Sequence, residues 1–196
     1  RNYLKGHILI GTKTNIICTC EITPGNFSDV RQAPSLILKA GANFRIKELS
    51  ADKAYSSKLI FRILESIEAL PYIPFQYRVK APSDKSLEIW NRMFLYFRDN
   101  KELFMKKYHK RSNVESTFSM VKTRLGEFLK CKDYHSQRSE LMMKFICHNI
   151  CCLIQEMYEN GIRVDFEKCN KIYIDQKVPD ELKTRGHPSL VRVTKV

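Results

Sequence analysis

The sequence contains no apolar run that approaches the roughly 20 residues of a transmembrane helix, and no signal peptide is visible. It also has no glycine-rich phosphate loop, no internal repeat and no low-complexity tract. These absences argue against a membrane protein, a P-loop nucleotide hydrolase and a repeat protein. We expect a cytoplasmic domain, and we expect neither a membrane nor a small-molecule substrate among its partners.

Paired cysteine motifs are missing as well. The seven cysteines are odd in number, and several lie within apolar runs, which argues for reduced thiols rather than a disulfide framework. Cys147, His148 and Cys151 are of types that bind zinc, but no C-x2-C motif or second ligand pair accompanies them. We interpret these cysteines as small apolar residues on the buried face of a helix.

Acidic residues are scarce relative to basic ones: 21 against 34, for a formal net charge of +13 over 196 residues. The length suits one domain with a core, and the hydrophobic fraction of 43% is ordinary. The basic excess says nothing about the fold, but it favours a polyanionic partner, most simply nucleic acid. An anionic membrane surface is the competing interpretation, and the lack of a long apolar run makes it the weaker one.

Hydrophobic periodicity predicts an α/β fold whose carboxyl-terminal half is helical. The first half is predicted to contain a hairpin over 7–10 and 15–22, a helix over 29–39 stopped by Gly41, a strand over 45–50, a helix over 57–67 and a strand over 70–75. The second half is predicted to contain helices over 86–98, 101–107, 111–129 and 137–158, the last ended by Gly161. We expect residues 161–196 to be an extended or poorly ordered tail.

The most specific pattern consists of Tyr108, Arg111, Glu115 and Lys122, which are spaced as Y-x2-R-x3-E-x6-K. On a helix, Arg111 and Glu115 are one turn apart, and Lys122 lies two turns beyond Glu115. The basic segment that includes Lys110 adds further cations beside the carboxylate. An enzyme that binds a divalent metal on a carboxylate, and DNA phosphates on nearby cations, needs such an arrangement.

Both candidate carboxylates have simpler explanations. The segment from Ser112 to Glu115 matches the capping box S-x-x-E, and Arg111 with Glu115 could be an ordinary surface ion pair. Asp52 follows a predicted strand, at the edge where open α/β sheets bind ligands, yet an aspartate there is more often a cap or turn residue. Each residue alone favours the simpler explanation, so the case for a site depends on their combination.

In their order along the chain, these patterns resemble the DDE transposases of bacterial and archaeal insertion sequences, in the group that carries the Y-x2-R-x3-E-x6-K motif. The resemblance extends over about residues 4–160. Its other landmarks are Lys5-Gly6-His7, Thr23-Pro24-Gly25-Asn26-Phe27-Ser28-Asp29, Ala51-Asp52-Lys53-Ala54-Tyr55, Gln137, Glu140 and His148-Asn149. Several ordered landmarks are stronger evidence than one motif.

The resemblance implies a ribonuclease H-like fold over residues 1–160, with a mixed five-stranded sheet and flanking helices. It implies cleavage and transfer of DNA strands at insertion-sequence ends, catalysed by two Mg²⁺ ions for which Mn²⁺ can substitute. Asp52 and Glu115 would be the catalytic metal ligands. The residues that would contact phosphates of double-stranded DNA are Arg111, Lys122, Tyr108 and Lys110. Because transposon ends react in pairs, the resemblance also implies a homodimer on DNA.

The family needs three carboxylates, and the resemblance places the first on a strand before the hairpin. This sequence begins after that strand, so we expect it to be part of a longer chain and to lack the fold's first strand. Asp29 is a poor substitute, because it matches a separate position in the loop after the hairpin. With two of three ligands, metal binding and catalysis should both suffer, so we expect residues 1–196 alone to be inactive.

Two other functions stay open. The chain could be a catalytically dead remnant that only binds DNA or a partner transposase subunit. A resolvase or repair nuclease of the same fold is disfavoured, because the pattern from Tyr108 to Lys122 is typical of transposases rather than of nucleases in general.

Overall fold

The structure is a computed structural model. It describes residues 3–76, 79 and 87–162, and the backbone of residues 190–194. These residues contain six α-helices and five β-strands. The strands are β1 (Leu4–Gly11), β2 (Ile17–Pro24), β3 (Glu48–Ser50), β4 (Leu70–Tyr72) and β5 (Leu190–Thr194). The helices are α1 (Asp29–Asn43), α2 (Lys58–Ser66), α3 (Glu88–Asp99), α4 (Lys101–Tyr108), α5 (Asn113–Leu125) and α6 (Tyr134–Glu159). Two 3₁₀ turns, Lys53–Tyr55 and His109–Ser112, precede α2 and α5.

Strands β1 and β2 form the predicted antiparallel hairpin, with one irregularity in register between Leu9 and Ile10. The amide of Asn15 closes the turn by donating to the carbonyl oxygen of Gly11 over 2.9 Å. Asn15 has a positive φ of 57°, a conformation that asparagine adopts more readily than most residues. The prediction of a hairpin from two β-branched runs is therefore confirmed.

The sheet has five strands in the order β2-β1-β5-β3-β4. Strand β1 is antiparallel to both β2 and β5, whereas β3 is parallel to both β4 and β5. The sheet is therefore mixed, and its central strand comes from the last described residues. β5 lies within residues 161–196, which we expected to be an extended or poorly ordered tail. The periodicity of the sequence predicts no strand there.

Side chains of β1 alternate between two cores on opposite faces of the sheet. Leu9 packs with residues of α1 to α4, among them Phe61 and Phe104. Ile8 and Ile10 face the other way, into a core shared with α5 and α6. Helices therefore cover both faces of the sheet, and the predicted α/β class is confirmed. Within the described ranges, no helix is both long enough and apolar enough to cross a membrane.

Two neighbouring residues of α6 fix this helix to the hairpin. His148 is 1% exposed, and its Nε2 lies 3.0 Å from the carbonyl oxygen of Asn15 in the turn. Nδ2 of Asn149 donates to the carbonyl oxygen of Ile17 over 2.9 Å, and its Oδ1 accepts from the Ile17 amide over 2.8 Å. The landmark pair His148-Asn149 thus binds backbone at the start of β2.

Several element ends differ from the predictions. α1 continues through Gly41 to Asn43, and the amide of Phe44 still donates to the carbonyl oxygen of Ala40; glycine weakens a helix without having to end it. The helix predicted over 111–129 is the shorter α5, because residues 109–112 form a 3₁₀ turn and Gly126, with a φ of 84°, follows its last residue. Strands β3 and β4 are likewise shorter than predicted.

Candidate active site

Asp52 lies two residues beyond the end of β3, at the edge of the sheet. Ala51, between them, is 1% exposed, and the carbonyl oxygen of Asp52 accepts a hydrogen bond of 2.9 Å from the amide of Tyr55. These contacts hold the backbone of Asp52 at the start of a 3₁₀ turn. Its side chain makes no capping hydrogen bond there, so the carboxylate does not play the capping role that the sequence left open.

Two members of the Tyr108–Lys122 motif bind the carboxylate of Asp52. The hydroxyl of Tyr108 donates to Oδ1 over 3.2 Å, and Nη1 of Arg111 donates to Oδ2 over 3.1 Å. Tyr108 ends α4 and Arg111 lies in the 3₁₀ turn that follows, so one bend of the chain presents both donors. Burial raises the pKa of the Tyr108 hydroxyl, which keeps its proton in place for donation at neutral pH.

Arg111 brings the second candidate carboxylate to the same place. Its Nη1 lies 3.0 Å from Oε1 of Glu115, one helical turn further along. Because each carboxylate oxygen is about 3 Å from one nitrogen, the two oxygens are at most about 6 Å apart. The side chains of Asp52, Arg111 and Glu115 are 35%, 25% and 61% exposed, so the cluster is open to a ligand. Ion pairs this exposed contribute at most about 1 kcal/mol each to stability.

Glu115 does not form the capping box that its sequence allows. Ser112 has helical dihedral angles, φ −59° and ψ −19°, and its hydroxyl donates to the carbonyl oxygen of His109 over 2.9 Å. A capping residue would have an extended conformation and would accept from the helix amides. The capping explanation is therefore wrong, and the predicted contact between Arg111 and Glu115 is present.

The predicted phosphate-binding lysines lie at different distances from the carboxylate pair. Lys110 is half-buried in the same 3₁₀ turn as Arg111. Lys122 lies about 10 Å further along the helix axis than Glu115, and its Nζ is 3.6 Å from Oε1 of Glu127. It lines a groove of about 560 Å³ between β1, α5 and α6. The structure therefore unites Asp52, Tyr108, Arg111 and Glu115, but not Lys122.

A contact between α4 and β3 supports the site and was not predicted. Nζ of Lys107 lies 2.5 Å from Oε1 of Glu48, and the hydroxyl of Ser50 donates to the carbonyl oxygen of Lys107 over 3.1 Å. The hydrogen bond with Glu48 raises the pKa of Lys107. Polar residues at 48, 50 and 52 alternate along the strand and its extension, and side chains two apart share a face. This alternation in the sequence could have indicated which face of β3 packs against α4.

Asp29 lies in a separate, buried cluster with two of the sequence landmarks. It is 7% exposed, and its Oδ1 is 3.4 Å from Nζ of Lys5 and 3.4 Å from Nδ1 of His7. Nε2 of His7 lies 2.8 Å from Oγ1 of Thr23. Burial lowers the pKa of His7, against the opposing effect of Asp29. Lys5 and His7 thus join the start of α1 to the hairpin through Asp29.

The carboxylates of Asp52 and Glu115 offer hard oxygen donors, which suit Mg²⁺ or Mn²⁺. Both already bind one cationic group, Nη1 of Arg111, which shows that they can share a positive charge. Among the residues that the structure describes, no group of three or more His, Cys, Asp or Glu side chains is placed to hold a metal ion. The described residues thus offer two carboxylates, Asp52 and Glu115, whose oxygens face the same guanidinium.

Residues 1–150 match a family model described as a transposase DDE domain. The matched range includes the hairpin, Asp52 and the whole Tyr108–Lys122 motif, and it ends before β5 begins. No curated protein and no solved structure matches the sequence. The match therefore covers every element that contributes a side chain to the carboxylate pair.

Proposed function

Because the chain belongs to the family of transposase DDE domains, we propose that it forms the catalytic domain of an insertion-sequence transposase. The proposed reaction is metal-dependent cleavage of DNA strands at the ends of the element, followed by transfer of those ends to target DNA. The observation that carries the proposal is the convergence of Asp52 and Glu115 on Nη1 of Arg111, at 3.1 and 3.0 Å. The mixed five-stranded sheet, with helices on both faces, supports a ribonuclease H-like fold.

In the proposed site, Asp52 and Glu115 hold Mg²⁺, for which Mn²⁺ substitutes. Two such ions, when bound, activate the attacking oxygen and stabilise the leaving oxygen of phosphoryl transfer. The protein's own contribution is to bring an aspartate from the sheet edge together with a glutamate from a helix. Tyr108, whose hydroxyl donates to Asp52, fixes the orientation of that carboxylate.

Arg111 supplies positive charge for a phosphate next to the scissile bond. A guanidinium binds carboxylate and phosphate oxygens with the same planar donors, so DNA competes with the two carboxylates for Arg111. Lys110, in the same turn as Arg111, and Lys122, further along α5, are proposed to contact the backbone of double-stranded DNA. Because two element ends must be brought together, we place a homodimer on the DNA.

The isolated residues 1–196 are proposed to be inactive. The resemblance implies three metal-binding carboxylates, and two converge in the described part of the chain. Among the residues that the structure describes, no third His, Cys, Asp or Glu joins them to form a metal-binding group. We propose residues 1–160 as the catalytic domain.

A second candidate function is favoured by the ion pairs of Arg111. A guanidinium that neutralises both carboxylates is also what a catalytically dead remnant would retain, since ion pairing needs no metal. Such a remnant would bind DNA or a partner transposase subunit without cleaving a strand. The two candidates differ in whether Asp52 and Glu115 bind a divalent ion.

A titration with Mn²⁺ distinguishes the transposase from the catalytically dead remnant. The 196-residue chain is titrated, and the electron paramagnetic resonance signal of the free ion reports how much Mn²⁺ is bound. For the transposase, we expect Asp52→Asn or Glu115→Gln to weaken Mn²⁺ binding by about tenfold or more. Glu127→Gln is the matched control, because Glu127 and Glu115 are both 61% exposed and both pair with a cation. The control should bind Mn²⁺ as the unsubstituted chain does.

Mn²⁺ binding that neither site variant changes would contradict the assigned ligands and support the remnant. A second measurement addresses the activity of the chain alone. Incubation with supercoiled DNA and Mg²⁺ should leave the DNA intact. Nicking that Asp52→Asn abolishes would show that the two carboxylates suffice for cleavage, and the proposed inactivity would then be wrong.

A further inference from the structure

Helix α6 is apolar on the side that faces away from the hairpin as well as on the side that packs against it. The inner side contacts the hairpin and α5, and it buries Phe145, His148 and Cys152. On the other side, six large apolar residues are between 45% and 86% exposed: Met143, Ile146, Ile150, Leu153, Ile154 and Tyr158. Together with the half-buried Cys147 and Met157, they form what we call the outer face of α6. A helix that is apolar all round is normally buried all round.

The outer face is uncharged and large. From Phe145 to Gln155 the sequence has no Asp, Glu, Lys or Arg, although 28% of the whole chain is charged. The exposed surface of the six large residues is on the order of 700 Å², close to the roughly 800 Å² that each partner contributes to a standard protein interface. Monomeric soluble proteins rarely expose an apolar patch of this size. The outer face therefore has the size and the chemistry of one half of an interface.

The outer face is also symmetric about Ile150, in spacing and in residue type. Apart from Tyr158, its other positions lie three, four and seven residues to either side, which is the heptad spacing of helices that pair along a seam. Methionine occupies both outermost positions, and isoleucine occupies both positions four residues from the centre. The face thus presents nearly the same order of side chains from either end. A two-fold interface between identical chains requires such a self-complementary surface.

An antiparallel pair of α6 helices, with a two-fold axis at Ile150, would use this symmetry. The opposed residues would be Met143 and the partner's Met157, Ile146 and the partner's Ile154, and Cys147 and the partner's Leu153. Each small cysteine side chain would then face a large leucine. A parallel pair would set the two cysteines against each other and leave a gap between them, which close packing disfavours. The observed order of residues therefore favours the antiparallel arrangement.

We propose that two copies of this chain dimerise through the outer face of α6, with the two helices antiparallel and Ile150 at the two-fold axis. The inference gives a surface to the homodimer of the proposed function, and it rests on that function in no other respect, because the pairing requires neither DNA nor metal. The ring of Phe118 on α5 packs against Phe145 on the inner side of α6. Since α5 also carries Glu115, the dimer holds the two candidate active sites at a fixed separation.

Analytical ultracentrifugation of the 196-residue chain, without DNA or metal, tests the dimer. We expect a monomer–dimer equilibrium with a dissociation constant that is micromolar or tighter, as interfaces of this size give. Leu153→Glu should raise that constant by about tenfold or more, because it places an unpaired charge in the interface. Leu59→Glu is the matched control, since Leu59 on α2 is 58% exposed and Leu153 is 52% exposed. The control should leave the equilibrium unchanged.

A charge swap tests the antiparallel arrangement. Ile146→Lys and Ile154→Glu should each weaken the dimer when made singly. Combined in one chain, they set each introduced lysine opposite the partner's introduced glutamate, so the double variant should dimerise about fivefold or more tightly than either single variant. In a parallel pair, like charges would meet instead, and the double variant would dimerise less well than the single ones.

A chain that stays monomeric at its highest soluble concentration would overturn the proposal. A dimer that Leu153→Glu leaves unchanged, or that Leu59→Glu weakens equally, would also overturn it, and a double variant that dimerises no better than the single ones would overturn the antiparallel arrangement. Circular dichroism checks that each variant is folded; if Leu153→Glu is not, the comparison of the double variant with the single ones decides. A monomer whose Asp52 and Glu115 still bind Mn²⁺ would reject the interface and leave the proposed function standing.

Discussion

At the scale of single residues, Arg111 is the group on which the site depends. It binds Asp52, which is 59 residues away in sequence, and Glu115, one turn away. Each ion pair is partly exposed and contributes little alone. Removal of the guanidinium, however, would also leave two carboxylates facing each other without a counterion. Their mutual repulsion adds to the loss of the two attractive contacts.

We therefore expect Arg111→Gln to lower the free energy of unfolding by about 1 kcal/mol. Lys122→Gln is the control, because Lys122 also pairs with a glutamate but at 3.6 Å and with both side chains about half exposed or more. Its effect should stay below about 0.5 kcal/mol. Urea denaturation followed by circular dichroism measures both values. Equal losses in the two variants would contradict the role of Arg111 as a shared counterion.

The sequence predicts one of the two contacts of Arg111. Glu115 lies at i+4 on a helical segment, where helical geometry alone brings the side chains together. The contact with Asp52 could be expected only from the family resemblance. No local pattern relates residue 52 to residues 108 and 111, because their approach depends on how α4 packs against β3. The pair Lys107 and Glu48 shows the same limitation.

At the scale of elements, α6 packs closely on β1, and Gly6 permits that approach. A Cβ atom at Gly6 would lie 2.8 Å from Cζ of Phe145, closer than real side-chain contacts come. Phe145 is 2% exposed and belongs to the core beneath α5 and α6. A methyl group at this position would therefore force the Phe145 ring, or α6 with it, to shift away from β1.

Gly6→Ala should destabilise the protein by about 1–3 kcal/mol through this overpacking. Gly41→Ala is the matched control, because its Cβ would meet Ile67 at an ordinary 3.5 Å. Since Gly41 lies inside α1, alanine there should raise stability by about 0.5–1 kcal/mol. Thermal unfolding should thus show shifts of opposite sign. A loss of stability in both variants would indicate a general intolerance of glycine replacement rather than a clash with Phe145.

Most elements could be predicted because their signals are local. The hairpin follows from β-branched runs, and the helix starting after Ser57 follows from a cap whose hydroxyl accepts from the Ile60 amide over 3.3 Å. Element ends were less predictable: Gly41 does not stop α1, whereas Gly126, with its positive φ, follows the end of α5. Strand β5 was not predicted at all, because a five-residue strand is stabilised by its neighbours rather than by its own sequence.

At the scale of the whole molecule, the net charge of +13 should dominate encounters with DNA. Contacts between lysine or arginine and phosphates release counterions, so affinity for duplex DNA should fall steeply as salt rises. The contribution of an individual cation depends on whether it lies at the binding surface. Lys110 lies next to Arg111 at the proposed site, whereas Lys39 lies on α1 and pairs with Glu21.

Lys110→Gln should reduce the slope of log affinity against log salt concentration by about 1, the loss of one phosphate contact. Lys39→Gln removes the same formal charge and should leave the slope unchanged. Fluorescence anisotropy with a labelled duplex across a series of salt concentrations measures both slopes. Equal reductions would mean that DNA responds to net charge alone and not to the surface around Arg111.

The position of β5 also constrains when the molecule can fold. A ribosome makes β1 and β3 long before it makes residues 190–194, which pair with both. Until then, the nascent chain carries two open sheet edges lined by the fully buried positions Ile8 to Ile10 and Leu49. Contacts between such distant parts of a chain make folding slow, and open edges invite aggregation. The described sheet can therefore close only after residues 190–194 have left the ribosome, and its open edges are exposed to aggregation until then.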